Sequence, residues 1–129
     1  MKILTLILTA FVLVGCSGLY NQQMELAHQN EWQQIGFLDG QTGQYQQAKP
    51  ELTKLNKLSD NSFEEYKLGY LKGIEQFCMP NQTYDHGRAG QAYKGECANT
   101  KQENLAVQRW LEGHAHYIFA EEAVALMGD

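Results

Sequence analysis

The sequence predicts a mainly α-helical fold, a small bundle of three to four helices with one disulfide-closed, glycine-rich loop. Helix-start signals recur along the chain, apolar residues follow helical spacing, and two cysteines flank the glycine-rich stretch. No stretch of convincing length alternates apolar and polar residues as a half-buried strand would. The predicted helices lie near residues 31–47, 63–78 and 101–127, with a short one over residues 50–58.

Each predicted helix starts at a recognisable local signal. Asn30–Gln33, Ser62–Glu65 and Thr100–Glu103 have the polar residues of a capping box, in which two side chains satisfy free amides at the helix start. Pro50 suits a first helical turn, where the amide that proline lacks would have no partner. Residues 79–99 carry a proline and several glycines, which predicts a loop.

Apolar spacing predicts which helix faces are buried. In the second long helix the shared face comprises Phe63, Tyr66, Tyr70, Gly73, Ile74 and Phe77. In the last helix it comprises Val107, Trp110, Leu111, His114, Tyr117, Ile118, Val124 and Ala125. Leu105, Phe119 and Leu126 fall outside that face, and they are expected to form a second apolar stripe available to a partner.

Glycines recur at helical spacing in two of the predicted helices. They lie at Gly36, Gly40 and Gly43, and again at Gly69 and Gly73. Because glycine weakens a helix, this spacing predicts that two helix backbones approach closely there. The similarity of the two stretches indicates either a degenerate repeat or a coincidence.

The first residues have the layout of a secretory signal. Lys2 precedes an apolar run over residues 3–14, which spans roughly 18 Å as a helix, against about 30 Å of bilayer hydrocarbon. The run ends in Leu13-Val14-Gly15-Cys16, which resembles the lipobox of bacterial lipoproteins. That resemblance implies cleavage before Cys16 and attachment of lipid, palmitate included, to this cysteine. An ordinary signal peptide (residues 1–15) with an incidental cysteine is the alternative.

The same resemblance implies a location in the cell envelope. In known lipoproteins an aspartate after the lipidated cysteine favours the inner membrane, whereas this chain has Ser17. We therefore expect an outer-membrane lipoprotein that faces the periplasm, with exposure at the cell surface as an alternative. The acyl chains would provide firm anchoring, since each buried CH₂ contributes roughly 0.8 kcal/mol.

Size and charge limit the function classes. Removal of residues 1–15 leaves 114 of the 129 residues, enough for one domain over 30–127 after a lipid-anchored tether at 16–29. Nine Lys and Arg then stand against fifteen Asp and Glu, a net charge of about −6. This charge argues against nucleic acid as a partner and against electrostatic attachment to anionic lipid. We expect no cofactor.

Two cysteines remain after lipidation. In an exported domain Cys78 and Cys97 most simply form a disulfide. Closure of a loop of about twenty residues stabilises a fold by roughly 3 kcal/mol in the chain-entropy model. Metal ligation and redox activity are the alternatives, but the chain has neither a second close cysteine pair nor a Cys-x-x-Cys sequence.

Three groups of residues, taken in order, resemble a known family. The first is Trp32-x-x-x-Gly36-x-x-Asp39-Gly40-x-x-Gly43. The second is Tyr66-x-x-Gly69-x-x-x-Gly73-x-x-x-Phe77-Cys78, and the third is Gly87-x-x-Gly90-x-x-Tyr93-x-Gly95-x-Cys97. Together they resemble small gammaproteobacterial lipoproteins catalogued as a domain of unknown function (family number 2799), over roughly residues 30–97. Members often have tyrosine where this chain has Phe77. The resemblance implies a fold and a location but no activity.

Asp39 is the most informative polar residue. It falls on the same helical face as Trp32 and the glycines, and a buried carboxylate must be paired or hydrogen-bonded. We expect it to accept hydrogen bonds from the 79–97 loop, either from amides or from Arg88. A structural role is favoured over a catalytic or ligand-binding one. Asp39, Trp32, Arg88 and His114 together form the candidate buried polar or ligand site.

The histidines do not predict a metal site. His114 and His116 lie two positions apart, so on a regular helix their rings point about 200° apart. His114 with Glu121 would make an incomplete site, and it is more readily a hydrogen-bonded core histidine. His86 beside Asp85 is more readily solvated than a ligand pair. No nucleophile elbow, phosphate loop or zinc-protease helix is recognisable in the sequence.

These observations favour a non-catalytic interaction or structural module, with an envelope protein docking on the last helix. The alternative is a periplasmic protein that binds a small ligand or cell-wall glycan near Asp39. A deep pocket containing Asp39 and His114 would favour the ligand. A filled core with an exposed apolar stripe on the last helix would favour the partner.

Overall fold

A computed structural model describes the backbone of residues 14–128 and the side chains from residue 18 onward. Over that range the chain forms six helices and no β-strand, which confirms the mainly α prediction. The helices are α1 (Val14–His28), α2 (Trp32–Gln41), α3 (Lys49–Thr53), α4 (Asp60–Phe77), α5 (Pro80–Arg88) and α6 (Glu103–Met127). None of them is both long and apolar enough to cross a bilayer.

Helices α2 and α4 form the first of two close helix pairs. A Cβ placed on Gly40 or on Gly73 would lie 2.3 Å or 2.4 Å from a backbone carbonyl oxygen of the opposite helix. One turn away, Gly36 and Gly69 are equally tight, at 2.0 Å and 1.8 Å. The two backbones therefore touch along this seam, as the glycine spacing predicted.

Helices α5 and α6 form the second pair. A Cβ on Gly87 would lie 2.2 Å from the carbonyl oxygen of Trp110, and one on Gly113 would lie 2.1 Å from that of Tyr84. The prediction of a loop over 79–99 is therefore wrong for α5. Pro80 occupies the first turn of this helix, where its missing amide costs nothing.

The core has two parts, one around the first pair and one between the end of α4 and the start of α6. The first contains Ala27, Trp32, Ile35, Leu52, Leu55 and Tyr66. The second contains Ile74, Phe77, Cys78, Cys97 and Ala106. The predicted disulfide between Cys78 and Cys97 is confirmed, with its Cα atoms 5.6 Å apart. It joins the end of α4 to the segment before α6, on either side of α5.

The N-terminal segment differs from the expected tether. Helix α1 runs to His28, and it buries Gln23 (7 % exposed) and Ala27 (fully buried) against the first core. Burial of these two side chains holds the segment in place, so the folded body begins before residue 30. Residues 1–13 of the predicted signal peptide and the side chain of Cys16 lie outside the described residues.

Several helix ends differ from the predicted bounds. Helix α2 stops at Gln41 because Gly43 has a φ of +68°, a left-handed turn that suits glycine and ends a helix. Helix α4 starts at Asp60, since the hydroxyl of Ser59, rather than that of Ser62, accepts the capping hydrogen bond. Helix α3 stops at Thr53.

Candidate functional site: the Asp39 network and the His86 cleft

Asp39 lies at the centre of a closed hydrogen-bond network in the first helix pair. Its side chain is 4 % exposed. Oδ1 accepts a hydrogen bond from the amide of Gln23 at 2.7 Å, and Oδ2 accepts one from the amide of Gln47 at 2.7 Å. The Tyr66 hydroxyl donates to Oδ2 at 2.8 Å. The carboxylate therefore joins α2 to three other parts of the chain, namely α1, α4 and the segment that precedes α3. This is a structural role.

Two tyrosine hydroxyls next to this network hold their protons strongly. Burial, with a further contribution from the charge of Asp39, raises the pKa of Tyr66 above its ordinary value. Burial and the same carboxylate also raise the pKa of Tyr70. Protonated Tyr66 remains a donor to Asp39 and accepts the backbone N–H of Gln47 at 2.9 Å. Protonated Tyr70 donates to the carbonyl oxygen of Gln44 at 2.7 Å.

The four residues of the predicted ligand site do not converge. The expected donors to Asp39, namely Arg88 and the 79–97 amides, are wrong, because α5 pairs with α6 rather than with α2. Arg88 is exposed. Trp32 is fully buried and donates its indole N–H to the side chain of Asn30 at 2.9 Å, so it is a core residue.

His114 belongs to the second helix pair. Its ring stacks between Trp110 and Tyr117, with centroid distances of 4.8 Å and 5.8 Å. Its Nδ1 is buried and meets no hydrogen-bond partner among the described residues. Within those same residues, no three His, Cys, Asp or Glu side chains cluster closely enough to hold a metal ion.

The two helix pairs share one backbone plan, most visibly where their first helices end. In the first pair the N–H of Gln44 bonds the carbonyl of Asp39 at 3.0 Å. In the second pair the N–H of Gln91 bonds the carbonyl of His86, also at 3.0 Å. The glutamine carbonyl then accepts a hydrogen bond from an aromatic side chain of the opposite helix, in the second pair from Trp110 at 2.9 Å.

The glycines of the two pairs also occupy equivalent positions. Gly40 faces backbone atoms of Tyr70 and Ile74, as Gly87 faces those of Trp110 and His114. The left-handed glycines that follow, Gly43 and Gly90, pack under the rings of Phe77 and Tyr117 respectively. Asp39 therefore corresponds to His86, and Tyr66 corresponds to Ala106. The chain contains a structural repeat.

The sequence carries a signal for this repeat that the glycine comparison missed. One half is aromatic-x-x-Gly-x-x-Gly-Gln, which starts at Phe37 and at Tyr84. The other half is aromatic-Leu-x-Gly-x-x-x-aromatic, which starts at Tyr70 and at Trp110. The glycine stretches of α2 and α4, considered above as two copies, are instead contact partners within one copy.

A cleft of about 350 Å³ lies where the two pairs meet. It is lined by Thr42, Gly43, Gln44, Phe77, Thr83, His86, Gln91, Ala92, Tyr93, Lys94, Glu96 and Trp110. The His86 ring stacks on that of Phe77, with centroids 4.4 Å apart, and Tyr93 packs against Trp110 at 6.0 Å. Aromatic walls with a few polar side chains are typical of small-molecule sites. The sequence indicated His86 as a solvated residue, with a ligand pair with Asp85 as the less favoured alternative.

Comparison with known proteins gives one match. The family model for a protein of unknown function (DUF2799) matches residues 31–115. This range begins just before α2 and ends within α6, so it covers both copies of the repeat except for the last aromatic residue, Tyr117, and it confirms the family inferred from the residue pattern. No curated protein and no solved structure matches the chain.

Proposed function

Because the chain belongs to the DUF2799 family, whose description carries no activity, we propose a function from its exposed surfaces and its N-terminal sequence. The protein is a lipid-anchored envelope protein that acts without catalysis, by binding a partner protein through the C-terminal end of α6. The exposure of that helix end is the observation that carries the proposal.

The end of α6 presents large apolar side chains to solvent. Phe119 is 71 % exposed, Leu126 is 82 % exposed and Met127 is 79 % exposed. Phe119, Ala123 and Leu126 follow the spacing of one helix face, which agrees with the second apolar stripe predicted from the sequence. A contiguous exposed apolar patch of this kind is typical of a binding surface.

Charge selects the kind of partner. The charged residues between positions 118 and 128 are Glu121 and Glu122, with no basic residue among them. A second copy or an anionic lipid surface would place like charges together, which is unfavourable. An envelope protein with an apolar groove edged by Lys or Arg fits better, and it would receive α6 as an amphipathic helix.

The anchor is supported by the sequence around Cys16. Gln23 is the first buried residue among the described side chains of α1, and about 10 Å of helix separates it from Cys16. Lipid on Cys16 would therefore keep the folded body close to the membrane. We expect Cys16→Ser to abolish incorporation of a palmitate analogue and to release the protein from the membrane fraction. Unlabelled wild-type protein would overturn the anchor.

Crosslinking in intact cells tests the docking surface. A photo-crosslinking residue at position 119 should capture one envelope protein, whereas the same residue at position 68 should not. Leu68 is a matched control, because it is an apolar residue 56 % exposed on α4. Capture of a second copy, capture of lipid alone, or equal capture from both positions would contradict the proposal.

Binding to the purified captured protein then tests the contact chemistry. Phe119→Asp should weaken binding at least tenfold, and Leu68→Asp should leave it unchanged. Reversal of charge at Glu121 and Glu122 to lysine should slow association, most clearly at low salt. Equal effects of the two aspartate variants would mean that α6 is not the docking element.

The alternative of ligand binding near Asp39 lacks space. Both carboxylate oxygens are already hydrogen-bonded inside a filled core, and His114 lies in the other helix pair. The cleft beside His86, in contrast, leaves room for a small molecule.

A further inference from the structure

We propose that the cleft beside His86 binds a small organic anion, a molecule with a flat ring and a carboxylate group. This site is separate from the α6 docking surface and does not depend on it. The inference comes from the cleft and from the repeat, because Asp39 is hydrogen-bonded by the protein's own side chains, whereas His86 at the equivalent position lines the cleft.

The contents of the two equivalent positions differ at three residues. Where the first pair has the ring of Tyr66, the second has Ala106, which is fully buried and carries no hydroxyl group. The disulfide packs beside Ala106 in the second core, whereas the cleft lies on the side of His86. The second pair therefore has no side-chain hydroxyl at this place that could donate to the residue equivalent to Asp39.

The hydrogen-bonding groups at the two equivalent positions also differ. In the first pair an acceptor, Asp39, faces hydrogen-bond donors from Gln47 and Tyr66. In the second pair His86 takes the place of Asp39, and Lys94 takes the place of Gln47. Both replacements can donate hydrogen bonds, and Lys94 adds a positive charge. The position at which the first pair has the carboxylate of Asp39 therefore has an imidazole in the second.

Glu96 is the acidic residue that lines the same cleft. Its carboxylate accepts the backbone N–H of Lys94 at 2.8 Å, which occupies one of its oxygens. The ammonium group of Lys94 lies 5.9 Å from the ring centroid of Tyr45 and forms no salt bridge among the described residues. The ammonium group of Lys94 is therefore free to pair with the carboxylate of a ligand.

The walls and the size define the rest of the ligand. The stacked rings of Phe77 and His86 form one side, and Tyr93 with Trp110 forms another. A volume of about 350 Å³ lies at the lower end of the range for small-molecule sites, roughly 300–1,000 Å³. A single ring with a short acidic substituent suits this space.

Nuclear magnetic resonance of the ¹⁵N-labelled full-length protein tests the proposal with benzoate as the probe. Benzoate should shift the amide signals of residues 91–96 and the indole signal of Trp110, with a dissociation constant on the order of millimolar for so small a ligand. Benzamide has the same ring without the charge, and it should bind at least about fivefold more weakly. Equal binding of the two probes, or no shift at these positions, would overturn the anion site.

Three variants locate the site and separate it from general folding effects. Lys94→Gln restores the residue type of the first pair, and it should lower benzoate affinity about tenfold, as expected for loss of a charged hydrogen bond. Lys101→Gln removes one exposed charge outside the cleft and should leave affinity unchanged. Ala92→Trp, at an exposed position on the rim, should fill the cleft and abolish the shifts. Identical affinities of the two lysine variants, or retained shifts in a folded Ala92→Trp protein, would refute the site.

Discussion

The α2–α4 pair and the α5–α6 pair have the same backbone plan but different interiors. The first is closed by side-chain chemistry, with Asp39 at the centre of donors from three other segments. The second is joined to the end of α4 by the disulfide, and its His86, at the position equivalent to Asp39, lines an open cleft. One backbone arrangement therefore provides a rigid support in one copy and a potential binding surface in the other.

The difference also shows how each pair is stabilised. Four glycines form the seam of the first pair, and α1 and α3 add apolar residues to its core. In the second pair, α6 is a helix of 25 residues, and of its described residues only Ala106 and Gly113 are buried. We infer that the first pair depends on packing, and that the second depends more heavily on the link between Cys78 and Cys97.

The glycine seams should give the largest effects. Gly73→Ala places a methyl group 2.4 Å from a carbonyl oxygen of α2, and separation of the backbones should cost about 3 kcal/mol or more. The equivalent Gly113→Ala should release α5 from α6 while α2 and α4 stay folded. Denaturant unfolding followed by circular dichroism measures the first effect, and hydrogen exchange resolved by helix measures the second.

A third glycine is the matched control for these two variants. Gly18 has no atom within 4 Å of its would-be Cβ, so Gly18→Ala should be neutral or stabilise α1 by up to about 1 kcal/mol. If Gly113→Ala unfolded the whole chain as readily as Gly73→Ala, the two pairs would be equally important to the fold, and the distinction drawn above would fail.

Loss of the disulfide should come next in size. Replacement of Cys78 and Cys97 by serine removes a covalent link across nineteen positions, which corresponds to roughly 3 kcal/mol in the chain-entropy model. Amides of α5 and the start of α6 should lose protection from hydrogen exchange before those of α2 and α4. The same order should follow chemical reduction of the wild-type protein. Uniform loss across both pairs would contradict a separate role for the link.

Local patterns predicted the parts of the fold that depend on neighbouring residues. The spacing of Gly36, Gly40, Gly69 and Gly73 predicted a close helix contact, and the glycine-rich stretch between the cysteines predicted their link. Helix α5 was missed, because Pro80 and two glycines within a short segment usually indicate a loop. That helix forms because Gly87 meets α6, a contact that local propensity does not reveal.

Only part of the candidate site was predicted, because local patterns do not reveal contacts between distant segments. The face of α2 indicated that Asp39 is buried, which is correct. Its partners Gln23, Gln47 and Tyr66 lie on separate elements, so helical periodicity could not identify them. The cleft was not predicted, because its lining residues come from the ends of α2 and α4, from α5, from the segment that follows it and from α6, which no local pattern brings together.

A matched pair of substitutions at the equivalent positions, Asp39 and His86, compares how much each side chain contributes to stability. Asp39→Asn replaces one acceptor oxygen with an amide NH₂ group, which then faces either the donor of Gln23 or those of Gln47 and Tyr66, and the mismatch should cost about 2 kcal/mol. His86→Asn, beside the open cleft, should change stability by less than about 1 kcal/mol. The free energies of unfolding of both variants at neutral pH give the comparison. An unchanged stability of Asp39→Asn would show that the network is not structural. An equal loss in His86→Asn would show that the second position is as firmly packed as the first, and the cleft would then be no more than a gap in a rigid core.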